Sequence, residues 1–117
     1  MPRNKKQRMI AHRPPVLLFK PAGVPARDLE REVLALDEYE ALRLADNEGL
    51  SQEQVAERLG VSRPTVTRIL RDARATVARV LVNGRALAIE GGPVAFTPGR
   101  GRRRRARRGR GRGGGRR

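Results

Sequence analysis

Between Ser51 and Arg71 the chain meets a set of local requirements that few folds impose together. Ser51 can open a helix with Gln54 at its third position, so that side chain and backbone cap one another. Gly60 falls where that helix needs a left-handed residue to stop, and Ser62 opens the next helix with Pro64 in its first turn, where a missing N–H is harmless. Val55, Ala56 and Leu59 before the turn, Val61 within it, and Val66 and Ile69 after it supply apolar plugs on both sides. Ala56 is the small residue that lets the two helices approach. Helices joined by so short a turn and crossing steeply form a helix-turn-helix, here over residues 51–71. The apolar positions alone would suit any three-helix bundle; the Ala–Gly–Val turn chemistry narrows the choice.

The apolar stripe of the second of these helices leaves Thr67, Arg68 and Arg71 on the opposite side, with Arg63 at the N-terminal end. The first acid on this helix is Asp72. A helix that enters a major groove needs donors on that face and no acid close to phosphate. Arginine can fork onto guanine O6 and N7, and a threonine can offer its methyl to thymine or its hydroxyl to a base edge or phosphate. Ser51, Gln52 and Ser62, at helix N-termini, suit phosphate. With Pro64 and Thr65 these residues make up the expected DNA-binding set.

The rest of the body reads as mainly α. A first helix is expected from Asp37, capped by that residue with Glu40 three positions on, carrying Leu42, Leu44 and Ala45 and ending at Asn47-Glu48-Gly49. The last helix, residues 63–82, continues through Ala73, Val77, Val80 and Leu81 to Asn83-Gly84. It is longer than groove reading requires, so Val77, Val80 and Leu81 must be covered by residues 16–36 or by a second subunit. Residues 26–34 suggest a short helix. Residues 16–20 read as a strand closed by Pro21, Gly23 and Pro25, and the alternating run Ala86–Glu90 is a candidate partner for it. The fold expected is therefore a three-helix, winged-helix-like helix-turn-helix domain with short flanking extended segments, and it contains no internal repeat.

Charge divides the 117 residues into three. Of 27 basic side chains, 11 are the arginines of residues 99–117, where 7 glycines, one alanine and no acid accompany them. Five more (Arg3, Lys5, Lys6, Arg8, Arg13) fall in the first 13 residues, again without an acid. A nearly neutral body, residues 16–92, thus lies between a basic arm (residues 1–15) and an Arg/Gly tail (residues 93–117) that cannot offset its ordering entropy and is expected to be disordered. Arg3, Lys5, Lys6 and Arg8 in the arm and Arg102, Arg103, Arg104 and Arg105 in the tail are the expected phosphate grips. Each phosphate neutralised adds about 0.7–0.9 to the logarithmic salt slope. Part of the arginine excess over lysine can also reflect a GC-rich genome.

One histidine, no cysteine and no clustered Ser/His/Asp set leave catalysis little to work with. An enzyme is not expected, nor a cofactor or metal. No apolar run approaches the roughly 20 residues that span a bilayer, and no signal-peptide core follows the basic N-terminus, so a cytoplasmic, nucleoid-associated protein is expected.

Residues 36–74, LDEYEALRLADNEGLSQEQVAERLGVSRPTVTRILRDAR, resemble the helix-turn-helix of sigma-70 region 4 and related regulators. Together with FKPAGVP (Phe19–Pro25), GVSRPT (Gly60–Thr65) and LVNGRALAIEGG (Leu81–Gly92), the stretch resembles an uncharacterised family of small prokaryotic proteins regarded as DNA-binding, over about residues 3–92. The resemblance implies a DNA-binding role read out by the helix-turn-helix. Members of that family often carry cysteines near the N-terminus, where this chain has Lys-Lys-Gln-Arg-Met-Ile, so metal or redox sensing would lack its ligands here. Some also continue into a domain resembling nitrogenase-cofactor biosynthesis proteins, where this chain has its Arg/Gly tail.

The expected function is that of a DNA-binding transcriptional regulator, reading the major groove with the helix 63–82 and holding backbone with arm and tail. The alternative is an RNA-binding or nucleoid-coating protein driven by the tail. A third reading is an adaptor that contacts RNA polymerase through Glu38, Glu40, Asp46 and Glu48. The expected partners are double-stranded DNA and, by the alternative, RNA; a homodimer would suit a palindromic site, and no membrane is expected. A sigma factor proper would need a promoter-melting domain for which 117 residues leave no room.

Overall fold

The computed structural model describes residues 7–96. Along the chain come β1 (Arg8–Ile10), β2 (Leu18–Phe19), a 3-10 turn (Ala26–Asp28), β3 (Arg31–Leu34), α1 (Leu36–Leu42), α2 (Gln52–Leu59), α3 (Arg63–Asn83), β4 (Ala86–Ile89) and β5 (Val94–Phe96). Helices dominate, and α1 runs on into a π-helical segment, Arg43–Asn47.

Local chemistry accounts for α2 and α3. Ser51 Oγ accepts from Gln54 N–H while Gln54 Oε1 accepts from Ser51 N–H, at 3.1 and 2.9 Å. Gly60, at φ +73°, closes α2 in the left-handed region and donates its N–H back to Ala56. Ser62 Oγ then accepts from Thr65 N–H at the start of α3. α1 departs from expectation. It starts two residues earlier, at Leu36, with Ala35 rather than Asp37 at the N-cap, and Glu38 rather than Glu40 reaches back to the N-cap N–H at 2.9 Å. Asp37 is inside the helix and buried, so its carboxylate is committed elsewhere.

Two apolar clusters hold these elements together. The larger joins Ala41 and Leu44 to Val55, Ala56 and Leu59 of α2, to Val66, Ile69 and Leu70 of α3, and to Ile10 of β1. The smaller packs Ala73 of α3 against Leu34, Leu87 and Ile89. That second cluster is one face of a three-stranded sheet ordered β2-β4-β3. β2 pairs antiparallel with β4 (Leu18 opposite Ala88, Phe19 opposite Leu87), as expected for residues 16–20 and 86–90. β3 pairs parallel with β4 from Arg31–Ala86 to Leu34–Ile89. The short helix expected over residues 26–34 is therefore a single 3-10 turn followed by a strand: residues 31–34 gain a ladder against β4 and Leu34 an apolar layer, which local acids near a helix start do not outweigh.

The expected divisions at residues 15 and 93 also shift. β1 and β5 form a parallel pair with Arg8 opposite Val94 and Ile10 opposite Phe96, so the folded body includes residues 8–96. Gly92, at φ +101°, makes the approach to this pair possible, because a Cβ there would stand 3.0 Å from Asp37 Oδ1 and 3.1 Å from Ala35 Cβ. Val80 is partly buried against the smaller cluster, but Leu81 stays largely exposed, uncovered by residues 16–36. No helix among the described residues is long and apolar enough to cross a membrane.

Candidate nucleic-acid interface

The first three turns of α3 present Arg63, Pro64, Thr67, Arg68 and Arg71 to solvent, while Val66, Ile69 and Leu70 between them are buried. This division follows from a 100° step per residue, and it leaves the expected reading residues on one face. Ser51 and Ser62 are exposed at their helix N-termini; Gln52 and Thr65 are half-buried beside them. The two helices are tied at this surface, because Thr67 Oγ1 donates to Gln52 Oε1 at 2.7 Å and lies 3.3 Å from the Arg63 carbonyl. Thr65 Oγ1 shares a 2.9 Å hydrogen bond with Ser62 Oγ. Thr65 and Thr67 are thus preset by the protein rather than left to rotate. The Gln52 amide nitrogen makes no hydrogen bond among the described residues and is left as a donor beside the helix start.

The arginines differ in their commitments. Arg68 has no ion-pair partner among the described residues. Arg63 lies 3.9 Å from Glu53, an exposed and long contact, and Arg71 Nε sits 3.1 Å from Asp72 Oδ1. Acid therefore borders the surface at Glu53 as well as at Asp72, which inspection of α3 by itself overlooks. Such exposed pairs contribute about 0–1 kcal/mol each and exchange readily for phosphate.

Behind the surface, two charged ties fix how α1 supports it. Arg74 grips Asp46 with two hydrogen bonds, at 2.7 and 3.0 Å, joining the end of the π segment to the middle of α3. The Arg74 hydrogen bonds hold the Asp46 carboxyl below its usual range and push the Arg74 guanidinium up. Arg43 forks onto Glu40, with Nε to Oε1 and a terminal nitrogen to Oε2 both at 2.9 Å, and its other terminal nitrogen meets Glu48. Glu40 is 2% exposed and also accepts the Ala11 N–H at 3.2 Å. That hydrogen-bonded carboxylate raises the Arg43 pKa further. Glu38, Glu40, Asp46 and Glu48 are all engaged within the chain, and Glu40 is out of reach of any docking protein.

Arg8 requires a correction. Expected as a phosphate grip, it is 4% exposed and packed beside Asp37, with Nε 3.4 Å from Oδ2. Pairing of β1 with β5 draws it inward, where it compensates an acid that a helix start would otherwise leave buried. Arg3, Lys5, Lys6, Arg102, Arg103, Arg104 and Arg105 lie outside the described residues. The β1–β5 pair from which both flanking segments depart packs on α1 and α2, with Met9 beside Gly60 at the α2–α3 turn. Because the pair is parallel, the chain enters at one end of it and leaves at the other. Among the described residues no group of His, Cys, Asp or Glu could hold a metal ion.

No solved structure matches this chain. Proteins designated UPF0251 from Halothermothrix orenii and Moorella thermoacetica are 49% and 52% identical to it over 59 residues, which is half of this chain and 44% and 40% of theirs. The chain thus spans about half the length, or less, of those curated relatives. A UPF0251 protein from Rhodospirillum rubrum is 48% identical over 98 residues, covering 84% of this chain and 68% of that one. The family described as "Protein of unknown function DUF134" matches residues 1–97. On that match and those identities, the chain belongs to the DUF134/UPF0251 family of prokaryotic proteins.

Proposed function

We propose that the protein binds double-stranded DNA through a helix-turn-helix formed by α2 and α3, and acts as a transcriptional regulator. One observation carries the reading: the exposed row Arg63, Thr67, Arg68 and Arg71 on the first turns of a serine-capped helix whose opposite side is wholly buried. Arg68, free of any ion pair in the described residues, is the arginine for a base edge. Arg63 and Arg71, loosely held by Glu53 and Asp72, are suited to exchange those acids for phosphate. The hydrogen-bonded Gln52–Thr67 pair fixes a hydroxyl and leaves an amide donor at the junction of the two helices, where a backbone phosphate would lie. The cationic arm and tail add affinity that does not depend on sequence.

The test is selection of bound fragments from a random duplex pool, followed by affinity measurements on the selected and scrambled sites. Arg68→Ala is expected to lose about 10- to 100-fold on the selected site and little on scrambled DNA, the range for one forked arginine–guanine contact. Deleting residues 99–117 should weaken both sites alike and flatten the salt dependence by about 0.9 for each phosphate that is no longer neutralised. If Arg68→Ala and Arg71→Ala leave duplex binding intact while the deletion abolishes it, the groove-reading proposal fails. The tail's 11 arginines in 19 acid-free residues then favour the second reading, an RNA- or nucleoid-coating protein, for which excess total RNA would displace labelled duplex.

A further inference from the structure

The hydroxyl protons at the α2–α3 junction can be traced one by one, because each Ser or Thr hydroxyl has one proton to give and two lone pairs to receive. Thr67 Oγ1 has two partners within hydrogen-bond distance, and both are acceptors: Gln52 Oε1 at 2.7 Å and the Arg63 carbonyl at 3.3 Å. Its proton goes to Gln52, and the oxygen has only lone pairs left to offer. Turning the Gln52 amide over does not free the proton. The amide nitrogen would then donate to Thr67 Oγ1, and the hydroxyl would donate to the Arg63 carbonyl. Ser62 and Thr65 differ. Their hydroxyls share one 2.9 Å hydrogen bond, which uses one of two protons, and Ser62 Oγ also accepts the Thr65 N–H. The second proton of that pair and the Gln52 amide N–H stay available to a phosphate oxygen, which accepts and does not donate. Thr67, exposed beside Arg68, has no proton to give a phosphate.

We infer that Thr67 is a specificity-determining residue that accepts a hydrogen bond from an exocyclic amino group in the major groove, adenine N6 or cytosine N4. Such a contact rests on the DNA-binding reading above and specifies the base chemistry that the surface selects. Each base pair shows one amino group on its major-groove edge, on adenine or on cytosine, while thymine O4 and guanine O6 only accept. A fixed acceptor therefore reads which strand carries the amino group. Adenine or cytosine at the contacted position is favoured over guanine or thymine, whose keto oxygen would face Thr67 Oγ1 lone pair against lone pair. Arg68 has the opposite polarity, because a guanidinium only donates and suits the two acceptors of guanine. Neighbouring residues thus read complementary patterns, and neither substitutes for the other. Gln52 is the positioning residue: it takes the hydroxyl proton into the protein. The Ser51–Gln54 cap fixes the first turn of α2, so Gln52 is held at the junction before any ligand arrives. The Thr67 hydroxyl then has little rotational freedom left to lose on binding.

Selection from a random duplex pool, run in parallel with the native full chain, Thr67→Ser and Thr67→Val, tests it. Besides the Arg68-dependent guanine, the native motif is expected to hold one position that favours adenine or cytosine over guanine or thymine. The preference should be about 3- to 10-fold, the range of one net hydrogen bond. Thr67→Ser keeps the acceptor and should keep that position; Thr67→Val, of nearly the same shape, should lose it and retain the guanine. Replacing the selected adenine by purine, or the selected cytosine by pyrimidin-2-one, removes only the amino group. That replacement should weaken native binding by the same 3- to 10-fold and make no difference to Thr67→Val. A motif that Thr67→Val leaves unchanged, while Arg68→Ala removes its guanine, overturns the role of Thr67 and leaves groove reading standing. A Thr67-dependent position filled by guanine or thymine also overturns it, since the hydroxyl would then be donating. A pool that yields no motif overturns groove reading, and the role of Thr67 with it.

Discussion

Glu40 offers the sharpest test of how the α3 surface is supported. Its carboxylate is 2% exposed and receives two hydrogen bonds from Arg43 and one from Ala11, so replacing it by glutamine changes charge and one hydrogen-bonding atom with almost no change in volume. In Glu40→Gln the amide NH₂ must face the guanidinium in either orientation, and in one of them the Ala11 N–H as well, donor against donor. Removing one partner of a buried pair costs about 3–5 kcal/mol. Arg43 is 15% exposed and keeps Glu48, which places the expected loss near the lower end, about 3 kcal/mol. For some 90 folded residues total stability is about 5–13 kcal/mol, so this one atom would remove about a quarter to three fifths of it. The assay is urea unfolding followed by far-UV circular dichroism, because the chain has one tyrosine and no tryptophan to report by fluorescence. The unfolding slope should stay unchanged, and Glu40→Met with Arg43→Met should recover most of the loss, since an apolar pair leaves no charge unpaired. A cost below about 1 kcal/mol for Glu40→Gln, the level of an exposed pair, would refute the assignment of this clamp as a buried, charged support.

Gly60→Ala should lower stability by about 1–2 kcal/mol in the same assay, through the left-handed backbone alone, since Met9 would sit 3.6 Å from the new methyl; Gly60→Asn should cost less. Asp46→Asn should cost under about 1 kcal/mol at neutral pH, as both partners are half exposed. Because the folded Asp46 carboxyl titrates below its usual range, its contribution is present above the unfolded value of 3.8 and fades as pH falls through the folded one, so native and variant stabilities should converge below pH 3.8. Asp72→Asn releases Arg71 and removes an acid from the rim, and duplex affinity measured by fluorescence anisotropy should rise a few-fold at low salt and less at high salt.

Two charged residues mark the boundary between what can be seen in a linear chain and what cannot. Arg68 lies where the apolar periodicity of α3 leaves it, and its exposure is a consequence of local spacing. Arg8, in an equally basic stretch, is buried, because it belongs to a three-residue strand whose partner lies 86 positions away. In the sequence Glu40 reads as the capping partner of Asp37, and Glu40 and Asp46 as acids of a candidate polymerase contact; in the fold one is buried under Arg43 and the other bound by Arg74. The signal that could have found them is the near balance of acids and basic side chains in residues 7–96, though it does not say which pairs with which.

The α2–α3 unit, its caps, its turn at Gly60 and the split between an even-handed body and cationic flanks are determined by the sequence alone, because capping, helical periodicity and charge act within a few residues. The strands β1, β3 and β5, the burial of Arg8 and Glu40, and the uncovered edge at β2 were decided by tertiary structure. The proline-bounded run at β2 and the alternating run at β4 are legible locally, but β1, β3 and β5 carry no such signal and exist only because a distant partner supplies the other half of each hydrogen bond.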